Sequence, residues 1–163
     1  MLAPPRPTDA GNLSSARLLA LAVPAVLLGG ALLSEFVGKL YPCEMCWWQR
    51  YPHAVAILLA LGAISSPLTA PRTRMLTILA ACAIAVSGAI GAFHAGVEYG
   101  WWEGLTTCTS SGATSLEAIM NVPLIRCDQV QWSLAGISLA GFNALLSIGG
   151  ALLILGLAQR KFT

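Results

Sequence analysis

Four stretches of this chain contain no lysine, arginine, aspartate or glutamate: Leu18–Ser34, Tyr51–Pro71, Met75–Val97 and Gln129–Gln159. A helix needs roughly 17–25 mostly apolar residues to cross a bilayer, where no water is present to satisfy an open backbone. The chain therefore reads as an all-α membrane protein, a four-transmembrane-helix bundle with spans near 16–37, 47–66, 74–96 and 133–158. Only 10% of the 163 residues are charged, against about 25% in a soluble domain. The first run is short enough to resemble a signal peptide, but no small-residue cleavage site follows it, so it is expected to stay as a span. Residues 1–13, with Pro4, Pro5 and Pro7, are expected to form a flexible tail, and 14–163 a single membrane domain. A net charge of +2 without a basic aromatic patch gives no reason to expect a nucleic-acid partner.

Four spans put both termini on one side. That side collects Arg6, Arg17, Arg72, Arg74, Arg160 and Lys161, and the opposite side only Lys39, Arg50 and Arg126. The excess of lysine and arginine marks the cytoplasmic face. Cys43, Cys46, Cys108 and Cys127 then all face outward. In a bacterium that is the periplasm, where disulfides form and persist.

Cys43-Glu44-Met45-Cys46 opens the second apolar run. Two residues between cysteines permit a readily reduced disulfide, and a helix N-terminus stabilises a thiolate, lowering its pKa to roughly 3.5–7.5 in such motifs. Arg50, four residues after Cys46, shares its helix face if the helix has begun. Pro52 disfavours a regular preceding turn and leaves room for a helix that starts only there. Trp47, Trp48 and Tyr51 fit an aromatic belt at the membrane surface. A zinc site would need Cys108 and Cys127 to complete four ligands, and their spacing is too wide for a ligand pair. No metal is expected. Haem attachment would need a histidine after Cys46, where Trp47 stands.

Gly96 to Trp132 is the long outward loop. Cys108 precedes the polar tract Thr109-Ser110-Ser111-Gly112, and Ser115–Val122 reads as a short interfacial helix. Taken alone, Cys108 and Cys127 could merely staple this loop. A second pair on the same face raises the alternative of disulfide exchange between the pairs. His94 closes the third span, where a histidine can hydrogen-bond a ligand carbonyl or carry a proton. Glu98 follows one turn later, and His53 is a weaker candidate. Glu35 is expected to mark the water boundary, and Cys82 to be a buried small hydrophobe without a role.

These features together resemble the DsbB family of bacterial inner-membrane disulfide-generating proteins. The resemblance rests on Pro42-Cys43-Glu44-Met45-Cys46-Trp47-Trp48-Gln49-Arg50, on His94-Ala95-Gly96-Val97-Glu98, and on Cys127-Asp128 through Trp132 into Gly136-Ile137-Ser138 and Asn143. It implies a thiol:quinone oxidoreductase that takes electrons from a DsbA-like periplasmic thioredoxin-fold protein and gives them to ubiquinone or menaquinone. Cys108 then matches the cysteine that joins DsbA, Cys127 its partner, and Cys43 and Cys46 the membrane-proximal pair. Arg50 and His94 match residues beside the quinone. The vitamin K epoxide reductase type has similar chemistry, but there the loop cysteines precede the Cys-X-X-Cys. The competing reading from another class is a non-catalytic membrane protein whose two outward disulfides are structural.

Overall fold

The computed structural model describes residues 7–105 and 125–159, with side chains from residue 10 onward. Among the described residues four helices make the fold: α1 (Pro7–Phe36), α2 (Glu44–Ile64), α3 (Pro71–Glu98) and α4 (Leu139–Gln159). A two-stranded antiparallel hairpin, β1 (Ser133–Leu134) and β2 (Ile137–Ser138), precedes α4. Three of the four helices are long and apolar enough to cross a membrane: Ala10–Phe36, Pro71–Glu98 and Leu139–Gln159. The first half of α2 carries Glu44, Gln49, Arg50 and His53, which keeps it out of this group.

Small residues let the helices approach closely. The core along the bundle is Ala16, Ala20, Ala56, Ala60, Ala80, Ala81, Ala151 and Ala158, with Ile84 and Ile154 filling between them. Membrane helices lack a hydrophobic drive toward one another and associate through such close van der Waals packing. The contact of α3 with α4 is the tightest case. A Cβ on Gly91 would lie 2.9 Å from Asn143 Nδ2 and 3.0 Å from the Ala140 carbonyl oxygen, and one on Gly88 would lie 2.8 Å from Ile148 Cγ1. The outer surface is apolar instead: Val26, Leu58 and Leu152 are 72%, 69% and 66% exposed. Such a surface suits lipid and not water.

Polar groups secure the helix ends. On α1, Arg17 donates from Nη1 to the carbonyls of Ile64 and Ser66, at 3.4 and 3.3 Å, and so caps the C-terminus of α2 with a positive charge. At the other end of α2, Cys43 is the N-cap, and its Sγ accepts the Cys46 N–H at 3.3 Å. Ser138 Oγ accepts the Gly141 N–H at 3.1 Å at the start of α4.

Several sequence expectations are corrected. The last span was expected from residue 133, but α4 begins at Leu139. Ala135 and Gly136 both have positive φ, 52° and 80°, as a two-residue hairpin turn demands, and Tyr99 Oη pins the turn by donating to the Gly136 carbonyl and accepting the Ser138 N–H. Helix α1 begins at Pro7, inside the expected tail, since proline needs no N–H partner in a first turn. Helix α2 does not wait for Pro52; the Cys43 cap starts it at Glu44. Cys82 is exposed on the outer face of α3, since the helix phase turns Ala80, Ala81 and Ile84 inward instead. The expected helix at Ser115–Val122 lies outside the described residues.

Gly91→Val should lower the thermal unfolding midpoint in detergent, with a cost of about 1–3 kcal/mol for overpacking. Besides the Asn143 side chain, the partners at this glycine are the Ala140 carbonyl oxygen and the Ala144 nitrogen, backbone atoms of α4 that cannot swing away. An unchanged midpoint would contradict the α3–α4 contact.

Candidate functional site

The sulfur pair is built where the Tyr41–Cys43 segment turns into α2. Cys43 Sγ and Cys46 Sγ lie 3.1 Å apart. Cys43 is 1% exposed, while Cys46, one turn into the helix, is only partly buried. Cys127 joins them: it is 4% exposed and belongs to the same buried cluster as Cys43, Met45 and Val97, with Cys46, Trp48, Phe93 and Ile125 packed around it. Gln131 Nε2 donates to the Tyr41 carbonyl at 2.9 Å and ties this returning segment to the one before Cys43. The Cys127 and Cys46 sulfurs beside it, together with burial, push the Cys43 thiol well above its ordinary range. Two of the expected cysteines and a third from across the loop thus meet in one place. Cys108 lies outside the described residues.

His94 reaches the same point from α3. It is 2% exposed, with Nε2 3.5 Å from Cys43 Sγ and 3.8 Å from Glu98 Oε1. The close return of the chain after α3 holds this end in place: the Trp102 indole donates to the Phe93 carbonyl at 2.9 Å, and a Cβ on Gly96 would collide with the Trp102 ring. The ligand atoms of Cys43, Cys46 and His94 all lie within 4.8 Å of one another.

Arg50 is 7% exposed and faces α1. Its Nη1 pairs with Glu35, its Nη2 donates to the Ala31 carbonyl at 3.2 Å, and its guanidinium lies 4.9 Å from the Trp47 ring centroid. Glu35 was read as a boundary marker; it is the counter-ion of Arg50. A lone carboxylate at the end of an apolar run, facing a lone arginine at the start of the next, was the signal available.

Below the sulfurs a chain of polar side chains crosses the bundle. Gln49 Nε2 contacts the Met45 carbonyl at 3.1 Å and His94 Nδ1 at 2.9 Å. Asn143 Nδ2 contacts Gln49 Oε1 at 2.8 Å and the Ser87 carbonyl at 3.2 Å. Asn143 Oδ1 meets His53 Nε2 at 2.9 Å and accepts from Ser147 Oγ at 3.0 Å. Ser87 Oγ donates to the Gln49 carbonyl at 2.8 Å. Gln49, Ser87 and Asn143 were not singled out as site residues, although polar side chains inside apolar runs are costly and mark function or specific packing.

A cavity of about 250 Å³ opens beside these groups, lined by Cys46, Arg50, His53 and His94 on its polar side and by Leu27 and Phe142 among its apolar walls. Small-molecule pockets typically run about 300–1,000 Å³, so this one suits a single ring. Apolar walls with a few convergent polar groups suit an uncharged, mostly apolar ligand.

The family model for disulfide bond formation protein DsbB matches residues 14–157, most of the chain. The chain belongs to the DsbB family. A curated relative, the uncharacterised protein RP370 of Rickettsia prowazekii (strain Madrid E), is 25% identical over 142 residues, 80% of this chain and 79% of its own. No solved structure matches. Membership in the DsbB family and three apolar helices make this a multi-pass inner-membrane protein of disulfide-bond formation.

The two thiols of the Cys-X-X-Cys should react unequally. Cys46 sits where the α2 N-terminus favours a thiolate, whereas Cys43 is buried and held protonated. Iodoacetamide at neutral pH should modify Cys46 about tenfold faster than Cys43 in the reduced protein, read by mass spectrometry of the Cys43–Cys46 peptide. Equal rates would contradict this asymmetry.

Proposed function

We propose that this DsbB-family protein is a protein thiol:quinone oxidoreductase that reoxidises a periplasmic DsbA-like thiol oxidase. The observation that carries the reading is the burial of Cys127 against Cys43 and Cys46, beside a cavity lined by Arg50 and His94. A disulfide moves between pairs only if one sulfur can reach the other, and these sulfurs share one cluster.

In this reading a thiolate of the reduced partner attacks the Cys108–Cys127 disulfide at Cys108. The new mixed disulfide releases Cys127 as a thiolate, and a second partner thiolate then displaces Cys108, leaving the partner oxidised. Cys127 attacks Cys43, and the Cys43–Cys46 bond breaks with its electron pair on Cys46. Cys108 in turn displaces Cys43 and restores the loop disulfide. The α2 N-terminus stabilises the Cys46 thiolate. Ubiquinone or menaquinone, when bound, supplies the acceptor for two electrons and two protons. Arg50 offers charge-assisted hydrogen bonds to an oxygen in the cavity, and His94 offers a proton-bearing ring beside it. Apolar walls keep water from the reacting sulfur. In the same reading α2 is the fourth span, both termini are cytoplasmic and the cysteine pairs are periplasmic.

Purified protein with reduced DsbA should reduce quinone, measured by the loss of quinone absorbance. Cys46→Ser should abolish turnover, and normal turnover in that variant would falsify the scheme. Arg50→Lys keeps the charge but loses the planar fork that also holds Glu35 and the Ala31 carbonyl. The loss of one good hydrogen bond predicts an apparent KM for quinone raised about tenfold, and an unchanged KM would remove Arg50 from the cavity's role.

A further inference from the structure

Cys43, Cys46 and His94 make a donor set that zinc proteins use, two sulfurs and an imidazole nitrogen. A tetrahedral zinc ion places such ligand atoms about 3.5–3.8 Å apart. The Cys43–His94 pair at 3.5 Å matches that, and the Cys43–Cys46 sulfurs at 3.1 Å lie somewhat closer together than zinc would hold them. Distance alone does not explain why such a cluster serves as a thiol centre.

The polarity of the hydrogen bonds does. A backbone carbonyl only accepts, so the Gln49 atom facing the Met45 carbonyl is the amide nitrogen. For the same reason the Asn143 atom facing the Ser87 carbonyl is its amide nitrogen, and the Gln49 atom that this nitrogen also meets is the oxygen. Two carbonyls, one from α2 and one from α3, therefore fix the Gln49 amide from both ends. Its nitrogen is also 2.9 Å from His94 Nδ1. Nδ1 must accept, and the proton of the neutral ring sits on Nε2. Nε2 is the nitrogen that faces Cys43.

A histidine that binds metal does the reverse. It presents a bare nitrogen to the ion and gives its other N–H to an acceptor. We propose that Gln49 sets the tautomer of His94, holding the Nε2 proton toward the cysteine pair, and so makes this cluster a thiol centre and not a metal site. Gln49 acts through His94 and is a positioning residue. An Nε2–H beside the sulfurs donates to a thiolate as it forms, and it must be displaced before a cation can take its place. The proposal rests on Cys43 and Cys46 being the working thiols.

The chain has two histidines, which makes ¹⁵N-histidine spectra of the reduced protein in detergent readable, with His94→Ala giving the assignment. Wild-type His94 should show a protonated Nε2 and a bare Nδ1. Gln49→Glu puts an acceptor at Nδ1 and should move the proton there. The same variant, reduced, should bind Co²⁺ about 10–100-fold more tightly than wild type, read from the thiolate-to-cobalt charge-transfer absorption. Should Gln49→Glu fail to fold, Gln49→Leu removes the donor, and His94 should then populate both tautomers. A wild-type His94 protonated on Nδ1 would overturn the proposal. So would variants that leave the tautomer and the Co²⁺ affinity unchanged. Neither readout involves DsbA or quinone, so failure here is separate from failure of the oxidoreductase reading.

Discussion

The hydrogen bonds that Gln49 and Asn143 make with each other and with backbone carbonyls of α2 and α3 are the constraint on which the site depends. In a bundle whose helices meet through alanine and glycine, apolar contacts alone do not strongly specify register, because sliding one smooth face along another changes little. A polar side chain in that core has few places where all its groups are paired, and leaving one unpaired is expensive. Gln49 on α2, Ser87 on α3 and Asn143 on α4 satisfy one another only at a single alignment. That alignment sets where His94, two turns above Ser87 on α3, meets the sulfurs at the head of α2.

Glycine and the polar ladder act together. Gly91 lets α4 approach until Asn143 is within reach of both partner helices. A larger residue there would separate the helices before the hydrogen bonds could form. The small-residue core and the polar network are thus one device: the first permits the distance, the second selects the register.

Much of this was legible in the sequence, for identifiable reasons. Uncharged runs and the bias of arginine and lysine follow from the physics of lipid and gave the helical class and an expected orientation. The local Cys-X-X-Cys spacing pointed to the head of α2. The last span is expected from residue 133 and not from Leu139 because the uncharged run continues straight through the hairpin, and hydropathy does not register the positive φ of Ala135 and Gly136. Cys82 was misplaced because α3 is apolar on every face, so burial could not be read from composition. Glu35 was missed as the partner of Arg50 because the pairing joins two helices, and single-chain periodicity says nothing about which faces meet. Gln49 and Asn143 enter the sequence reading only within the motifs that carry the family resemblance, because their mutual contact depends on tertiary geometry alone.

The pairing of Arg50 with Glu35 changes what the cavity mouth looks like to an incoming molecule. An unpaired arginine would keep a tight shell of water and would attract anions from the aqueous side. Here the cation is already balanced, capped by a backbone carbonyl and covered on one side by the Trp47 ring. What remains is a short fixed dipole with apolar walls around it. Such a surface is easily dried, draws no counter-ion, and suits an uncharged ligand better than a charged solute.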